Sequence, residues 1–174
     1  MKVYDLPGTS GVPAPQLHDV YLLRLPDIGR GSSARAALRS ALLESLRRWF
    51  GPEVELIETP TGPVLKNLSW RVSLSYDGQD GWVALGAQSQ LGCDAVLVRN
   101  FPELLDVAER YLGGAVAARL RTSRLPAETF AHAWAKHEAT LKAMGLSLRE
   151  GQPLPALLCH YHRQTQAVVA VVVG

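Results

Sequence analysis

Residues 134–145 read WAKHEATLKAMG, and they end a longer segment, Ala127 to Met144, whose apolar positions recur three and four apart. That spacing predicts an amphipathic helix. On such a helix Trp134, Glu138 and Lys142 fall at i, i+4 and i+8, so an aromatic, an acid and a base share one face. An ordinary Glu→Lys pair on a solvated face, worth about 0.3 kcal/mol, accounts for the spacing alone. A charged pair aimed at a binding site accounts for it too.

Working outward, Glu103 to Leu112 and Ala115 to Arg121 show the same helical spacing. Ala156 to His162 and Ala167 to Val173 read as a closing hairpin across residues 163–166. Toward the N-terminus lie Gly92 to Val98, Trp82 to Ala87, Trp70 to Tyr76 and Glu53 to Glu58, all predicted strands. Residues 77–81 (DGQDG) form a hairpin loop, and Pro60 to Pro63 a turn. Ser32 and Ser33 offer an N-cap for a helix from about Ala34 to Phe50, with Leu38, Leu42, Leu46 and Trp49 at helical spacing. Val20 to Leu25 is a short buried strand. This order predicts an α+β protein of two similar halves, each a helix packed on a small antiparallel sheet. Residues 1–18 are an irregular leader, 19–90 the N-terminal half and 91–174 the C-terminal half. Together they make one compact domain with the site between the halves.

The 174 residues carry 18 Lys and Arg against 16 Asp and Glu, a formal net charge of +2, and 47% are hydrophobic. Such a balance excludes a disordered tail protein and gives little general pull on a nucleic-acid backbone. The longest apolar run, Ala167 to Val173, is too short to cross a bilayer. Cys93 and Cys159 have no neighbours at metal-finger spacing and read as small core residues. Trp49, Trp70 and Trp82 also read as core. His160 and His162 alternate on a strand, with no acid or cysteine at ligand spacing on a neighbouring element. Residues 1–11 hold no apolar stretch of signal-peptide length. The expected setting is soluble, reducing and cytoplasmic, with no nucleic-acid or membrane partner.

Upstream of the quoted helix stand Ser73-Leu74-Ser75-Tyr76-Asp77, then Trp82-Val83-Ala84, then Gly92-Cys93-Asp94. With Trp134, Glu138, Ala139, Lys142 and Gly145, this order resembles the 4′-phosphopantetheinyl transferases of the Sfp type, built from two pseudo-repeated halves. The resemblance runs from about Arg35 to Leu148, and the helix motif is its most specific part. It implies transfer of the phosphopantetheine arm of coenzyme A to a serine of an apo acyl or peptidyl carrier protein, releasing 3′,5′-ADP. The pathway would be fatty-acid-like, polyketide or other secondary metabolism, the cofactor Mg2+ and the protein a monomer. By position, Asp94 and Glu138 would hold the metal. Glu138 would also take the serine proton, and Lys142 would meet the pyrophosphate. Coenzyme A contacts would fall on Arg35, Arg39, Ser75, Tyr76 and His137. Magnesium needs few protein carboxylates when substrate phosphates complete its shell, so these residue types suit phosphoryl transfer.

The sequence departs from the family's pattern at four positions. Val96 stands where the family has a second strand acid, Tyr76 where it has a histidine, and His137 where it has a lysine. Thr61-Gly62-Pro63 lacks the lysine of the family's Gly-Lys-Pro turn. Each change removes charge from phosphate or metal binding. Arg35, Arg39 and Arg71 are the candidates to restore it, although Arg35 and Arg39 also suit a solvated helix face. Two readings follow: an active transferase, or a module of the same fold that binds a carrier protein or coenzyme A without turnover. An unrelated α+β domain is the third.

Overall fold

In the computed structural model, which describes residues 1–6, 14–29 and 31–174, two sheets lie face to face with a long helix on each outer side. The first sheet comprises β1 (Lys2–Asp5), β2 (Val20–Leu25), β5 (Arg71–Asp77) and β6 (Asp80–Gly86), in the order β1-β2-β6-β5. Strands β2, β6 and β5 are antiparallel neighbours, and β1 runs parallel to β2 at the edge. Between them in sequence come α1 (Ser32–Phe50) and the separate hairpin of β3 (Glu55–Thr59) and β4 (Gly62–Lys66). The second sheet, β7 (Leu91–Leu97), β9 (Ala167–Val173) and β8 (Leu158–Arg163), is antiparallel throughout. Helices α2 (Leu104–Val107), α3 (Gly114–Thr122) and α4 (Pro126–Met144) fill the connection from β7 to β8.

Alternation along the strands sorts side chains between the layers. Tyr21, Leu23 and Leu25 of β2 meet Leu38, Leu42 and Leu46 of α1, while Val20 and Leu22 point to the second sheet. Strand β9 is buried on both faces and is accordingly an unbroken apolar run. Val169, Val171 and Val173 face the first sheet, and Val168, Ala170 and Val172 face Ala131, Ala135 and Ala139 of α4. Full burial of each valine contributes roughly 1.5 kcal/mol or more, so β9 anchors both interfaces.

The mixed α+β architecture agrees with the sequence reading, and several boundaries differ. Lys2–Asp5, inside the expected irregular leader, is a strand, because its backbone extends the exposed edge of β2. Residues 7–13 of that leader lie outside the described residues. The Pro60–Pro63 turn is tighter than expected, and Gly62 already opens β4. Asp77 pairs with Asp80, which shrinks the expected five-residue loop to Gly78-Gln79, and Gly78 takes φ 71°. Helix α1 starts at Ser32, with Gly31 at its N-cap and no side-chain cap, so neither serine caps it. The stretch expected to be one helix, 103–112, is α2 followed by a wider π-helical turn, Ala108–Leu112, closed by Gly113 at φ 86°.

No helix among the described residues is long and apolar enough to cross a membrane.

Candidate functional site

Small residues let α4 lie close on β7. Ala131, Ala135 and Ala139 are fully buried, and Gly92 faces the helix backbone. A Cβ at Gly92 would strike the carbonyl of Ala139 and come within 2.7 Å of the Ala143 nitrogen. The helix ends at Gly145, left-handed at φ 64°, while Leu146 donates its N–H to the Leu141 carbonyl at 2.9 Å. Gly92, Ala139 and Gly145 thus serve packing and helix termination. Trp134 stacks on Phe130 with ring centroids 5.5 Å apart and meets Tyr111 edge-on at 5.8 Å. Both arrangements are ones that aromatic quadrupoles favour.

With the helix that close, Lys142 reaches the seam between the sheets. Its ammonium donates to Asp94 Oδ1 at 2.7 Å, to the Cys93 carbonyl at 3.0 Å and to the Leu74 carbonyl at 3.3 Å. Three donors meet three acceptors, so the group is saturated. The Asp94 side chain is 12% exposed and that of Lys142 33%. Burial pushes the Asp94 carboxyl up, against the opposing pull of Lys142 and Ser75. Glu138, one turn back on the same face, has no hydrogen-bond or ion-pair partner among the described residues. Its half-buried carboxyl is pushed up by burial and then by the charge of Asp94, with Lys142 pulling down. Asp94, Glu138 and Lys142 therefore form one electrostatic unit.

Ser75 has a structural duty within it. Its hydroxyl donates to Asp94 Oδ1 at 2.9 Å and accepts from the Ala95 N–H at 3.0 Å. Ser73 accepts from the Cys93 N–H at 2.9 Å, and Asp77 Oδ2 from the Leu97 N–H. Alternate side chains of β5 thereby satisfy the backbone of β7 where the two sheets meet. Asp77 is consumed in this seam, its other oxygen accepting from the Gly78 N–H at 2.9 Å.

Tyr76 lies farther along β5, between two arginines. Arg39 donates to its hydroxyl at 2.8 Å and pairs with Glu58, and the Arg35 guanidinium sits 5.8 Å from the ring centre. The bond to Glu58 raises the Arg39 guanidinium and lowers the Glu58 carboxyl. Burial raises the Tyr76 phenol despite both arginines. His137, by contrast, is turned away from this arrangement. It is buried, tilted against Trp134 at 6.2 Å, with Nε2 unpartnered among the described residues. Burial lowers it, so it is neutral and carries no charge to phosphate. The sequence expectation that His137 contacts a cofactor therefore finds no support in its placement.

Three depressions lie in this part of the molecule, one bordered by Lys142 and one by Asp94. A groove of about 830 Å³ has Thr61-Gly62-Pro63, Arg71 and Lys142 in its wall. A cavity of about 320 Å³ is lined by Asp94, Val96, Phe101, Phe130 and Trp134. A third, of about 280 Å³, is lined by Arg35, Gly31, Gly78 and Tyr76. Tyr76, Asp77, Leu97 and Arg99 line both smaller cavities, so these are adjoining parts of one cleft. The Lys142–Asp94 pair forms the partition between the large groove and that cleft.

No protein-family model and no curated protein matches the chain.

The chemistry rests on the donor set itself. Among the described residues no three of His, Cys, Asp and Glu gather as a metal site. Asp94 and Glu138 offer hard oxygen donors, the kind magnesium accepts when phosphate and water oxygens fill the rest of its shell. The pair fits such an ion in that shared form. Sequence reasoning missed Arg99, an exposed cation two residues beyond β7 that faces both smaller cavities. Its signal was a basic residue just past the strand bearing the acid.

Proposed function

We propose that the protein transfers the 4′-phosphopantetheine arm of coenzyme A to a serine of an apo acyl or peptidyl carrier protein. The observation that supports this most is the meeting of Lys142, in the wall of a polar groove, with Asp94, in the wall of an aromatic-walled cleft, within the field of Glu138. A diphosphate needs a site where cation and carboxylates lie together, with room on either side for its two unlike substituents. In this reading the two helix-and-sheet layers are related halves, the nucleotide lies toward Arg71 and the Thr61–Pro63 turn, and the acceptor approaches from the cleft.

The serine oxygen attacks the β-phosphorus. The bond from that phosphorus to the bridging oxygen breaks, and the electron pair leaves with 3′,5′-ADP. Glu138 takes the serine proton, and burial, which raises its carboxyl, makes it a stronger base than an exposed glutamate. Lys142 stands within reach of the leaving oxygens, while Arg35, Arg99 and Tyr76 offer donors to the remaining phosphate. Mg2+ bound by Asp94, Glu138 and the diphosphate would neutralise phosphate charge. The cytoplasm, where coenzyme A and reduced thiols coexist, is the setting proposed for a monomeric enzyme of fatty-acid or polyketide type.

A second reading, a carrier-protein or coenzyme A binding module without turnover, draws on different observations. Asp94 is already neutralised by Lys142, Arg39 by Glu58, and Val96 lines the cleft without charge. One experiment separates the two. The protein is incubated with coenzyme A, Mg2+ and a panel of apo carrier proteins, and intact masses are read. Arm addition that Glu138→Ala abolishes supports the transferase. Coenzyme A binding by calorimetry with no arm added to any carrier supports the module.

A further inference from the structure

Lys142 is the one cation in direct contact with Asp94 among the described residues, and the ammonium is held by three acceptors at once. Asp94 Oδ1, the oxygen it grips, is also the one that accepts from Ser75. A cation approaching Asp94 therefore finds one carboxylate oxygen accepting two hydrogen bonds, and at the other it meets the repulsion of an ammonium held 2.7 Å from the same carboxylate. Glu138 alone is left unpartnered, and one carboxylate is too little for a hard ion. The lysine stem is flexible and lines the large groove, so its head has a second place to go. An anion in that groove favours the move by Coulomb attraction in a partly desolvated site.

We infer that Lys142 is a built-in counter-cation for Asp94, which a divalent cation replaces only when a phosphate-bearing ligand draws the ammonium into the groove. Metal and anion then bind as one event, and the lysine that guards the carboxylate in the free protein becomes an anion contact in the complex. The inference rests on the reading that the groove takes a diphosphate, and it requires no transfer chemistry. It also gives Val96 a consequence. With the second strand acid absent, the site carries two acids and one base, a charge that Lys142 half neutralises without any metal.

The test is Mn2+ binding by electron paramagnetic resonance, with and without inorganic pyrophosphate, whose own Mn2+ complex is measured in the same buffer. At about pH 8 the wild-type protein alone binds Mn2+ only in the millimolar range, because the Lys142 ammonium already holds Asp94. Lys142→Met binds it at least about fivefold tighter without pyrophosphate, and the strengthening by pyrophosphate shrinks in the same variant. Lys142→Gln, which keeps a donor for the two carbonyls and drops the charge, behaves likewise and serves if the methionine variant does not fold. Adding Asp94→Asn to either variant removes the gain. Micromolar Mn2+ binding by the wild-type protein alone, or no gain in either Lys142 variant, overturns the inference. A protein that shows this coupling yet modifies no carrier fails as a transferase and keeps its counter-cation. One that modifies carriers without the coupling does the reverse.

Discussion

Helices α1 and α4 are each 19 residues long and each covers the outer face of one sheet, yet they use their sheets differently. The buried stripe of α1 is leucine, Leu38, Leu42 and Leu46, and that of α4 is alanine, Ala131, Ala135 and Ala139. Large side chains hold a helix away from the strands, while alanines set against Gly92 let two backbones nearly touch. Contacts between backbones are accordingly dense from α4 to β7 and β9 and sparse from α1 to β6. The consequence is chemical. The Lys142 and Arg39 side chains are about equally exposed, but Lys142 of α4 reaches strand carbonyls and the buried acid Asp94, whereas Arg39 of α1 meets Tyr76 and the exposed acid Glu58. Close packing brings a helix cation onto a buried strand acid, and leucine packing leaves one paired with an exposed acid.

Gly92 is where that difference breaks most easily. Gly92→Ala places a methyl into the backbone of α4, which cannot yield as a side chain would. The cost is about 4 kcal/mol or more. Urea unfolding measures the loss, and a cost below that of any core truncation would show that α4 does not need its close approach. On the leucine side, Leu42 is fully buried under α1. Leu42→Ala leaves a cavity there and costs about 3 kcal/mol. Its effect on Mn2+ binding with pyrophosphate should be nil, because α1 does not set the distance between Asp94 and Lys142.

Glu138→Gln sharpens the comparison at the level of charge. The folded protein holds this carboxyl above its ordinary range, so the folded state keeps a proton that the unfolded chain releases more readily. The stability this group contributes is complete below the unfolded value and is lost as pH rises through the folded one. At neutral pH Glu138→Gln therefore raises Tm by about 2 °C, with loss of the transfer proposed above, and the gain vanishes toward acid pH. Scanning calorimetry at acid and neutral pH reads it, and a Tm that falls at neutral pH contradicts the assignment. Smallest is Glu58→Gln. The Arg39–Glu58 pair is largely exposed, the Glu58 side chain being 54% accessible. Its loss changes stability by less than about 0.5 kcal/mol. A cost as large as that of Leu42→Ala would place α1 on the same footing as α4.

Much of the architecture was legible from periodicity alone. The valine run of β9, the leucines of α1 and the apolar run of β2 each mark residues that the fold buries, because burial is written residue by residue. Strand β1 and the hairpin strand β4 were not legible. Each is short, β1 is largely exposed and β4 buries only Leu65, and each is held by backbone pairing with its neighbour. The π turn at Ala108–Leu112 was hidden for a similar reason, since its pattern of apolar residues is that of an ordinary helix. At the site, the spacing of Glu138 and Lys142 marked one helix face correctly. The resemblance, rather than the spacing, put His137 among the coenzyme A contacts, and one residue along a helix turns a side chain about 100° from its neighbour. The fold buries that ring against Trp134 instead. Ser75 was expected to meet a cofactor, and its hydroxyl is committed to Asp94 and the Ala95 N–H.

By itself, then, the sequence determined the α+β class, the helix face that carries Trp134, Glu138 and Lys142, and the presence of an acid on β7. Those are local facts, set by which residues alternate with the strand and helix periods along the chain. Only the tertiary structure decided that Lys142 is spent on Asp94, that Ser75 serves the seam between sheets, and that Arg99 faces the cleft. Such pairings join residues 48 and 19 positions apart, and nothing in local spacing encodes them. They arise where Gly92 and three alanines let one helix settle against two strands, and the meeting of those backbones fixes which charges meet.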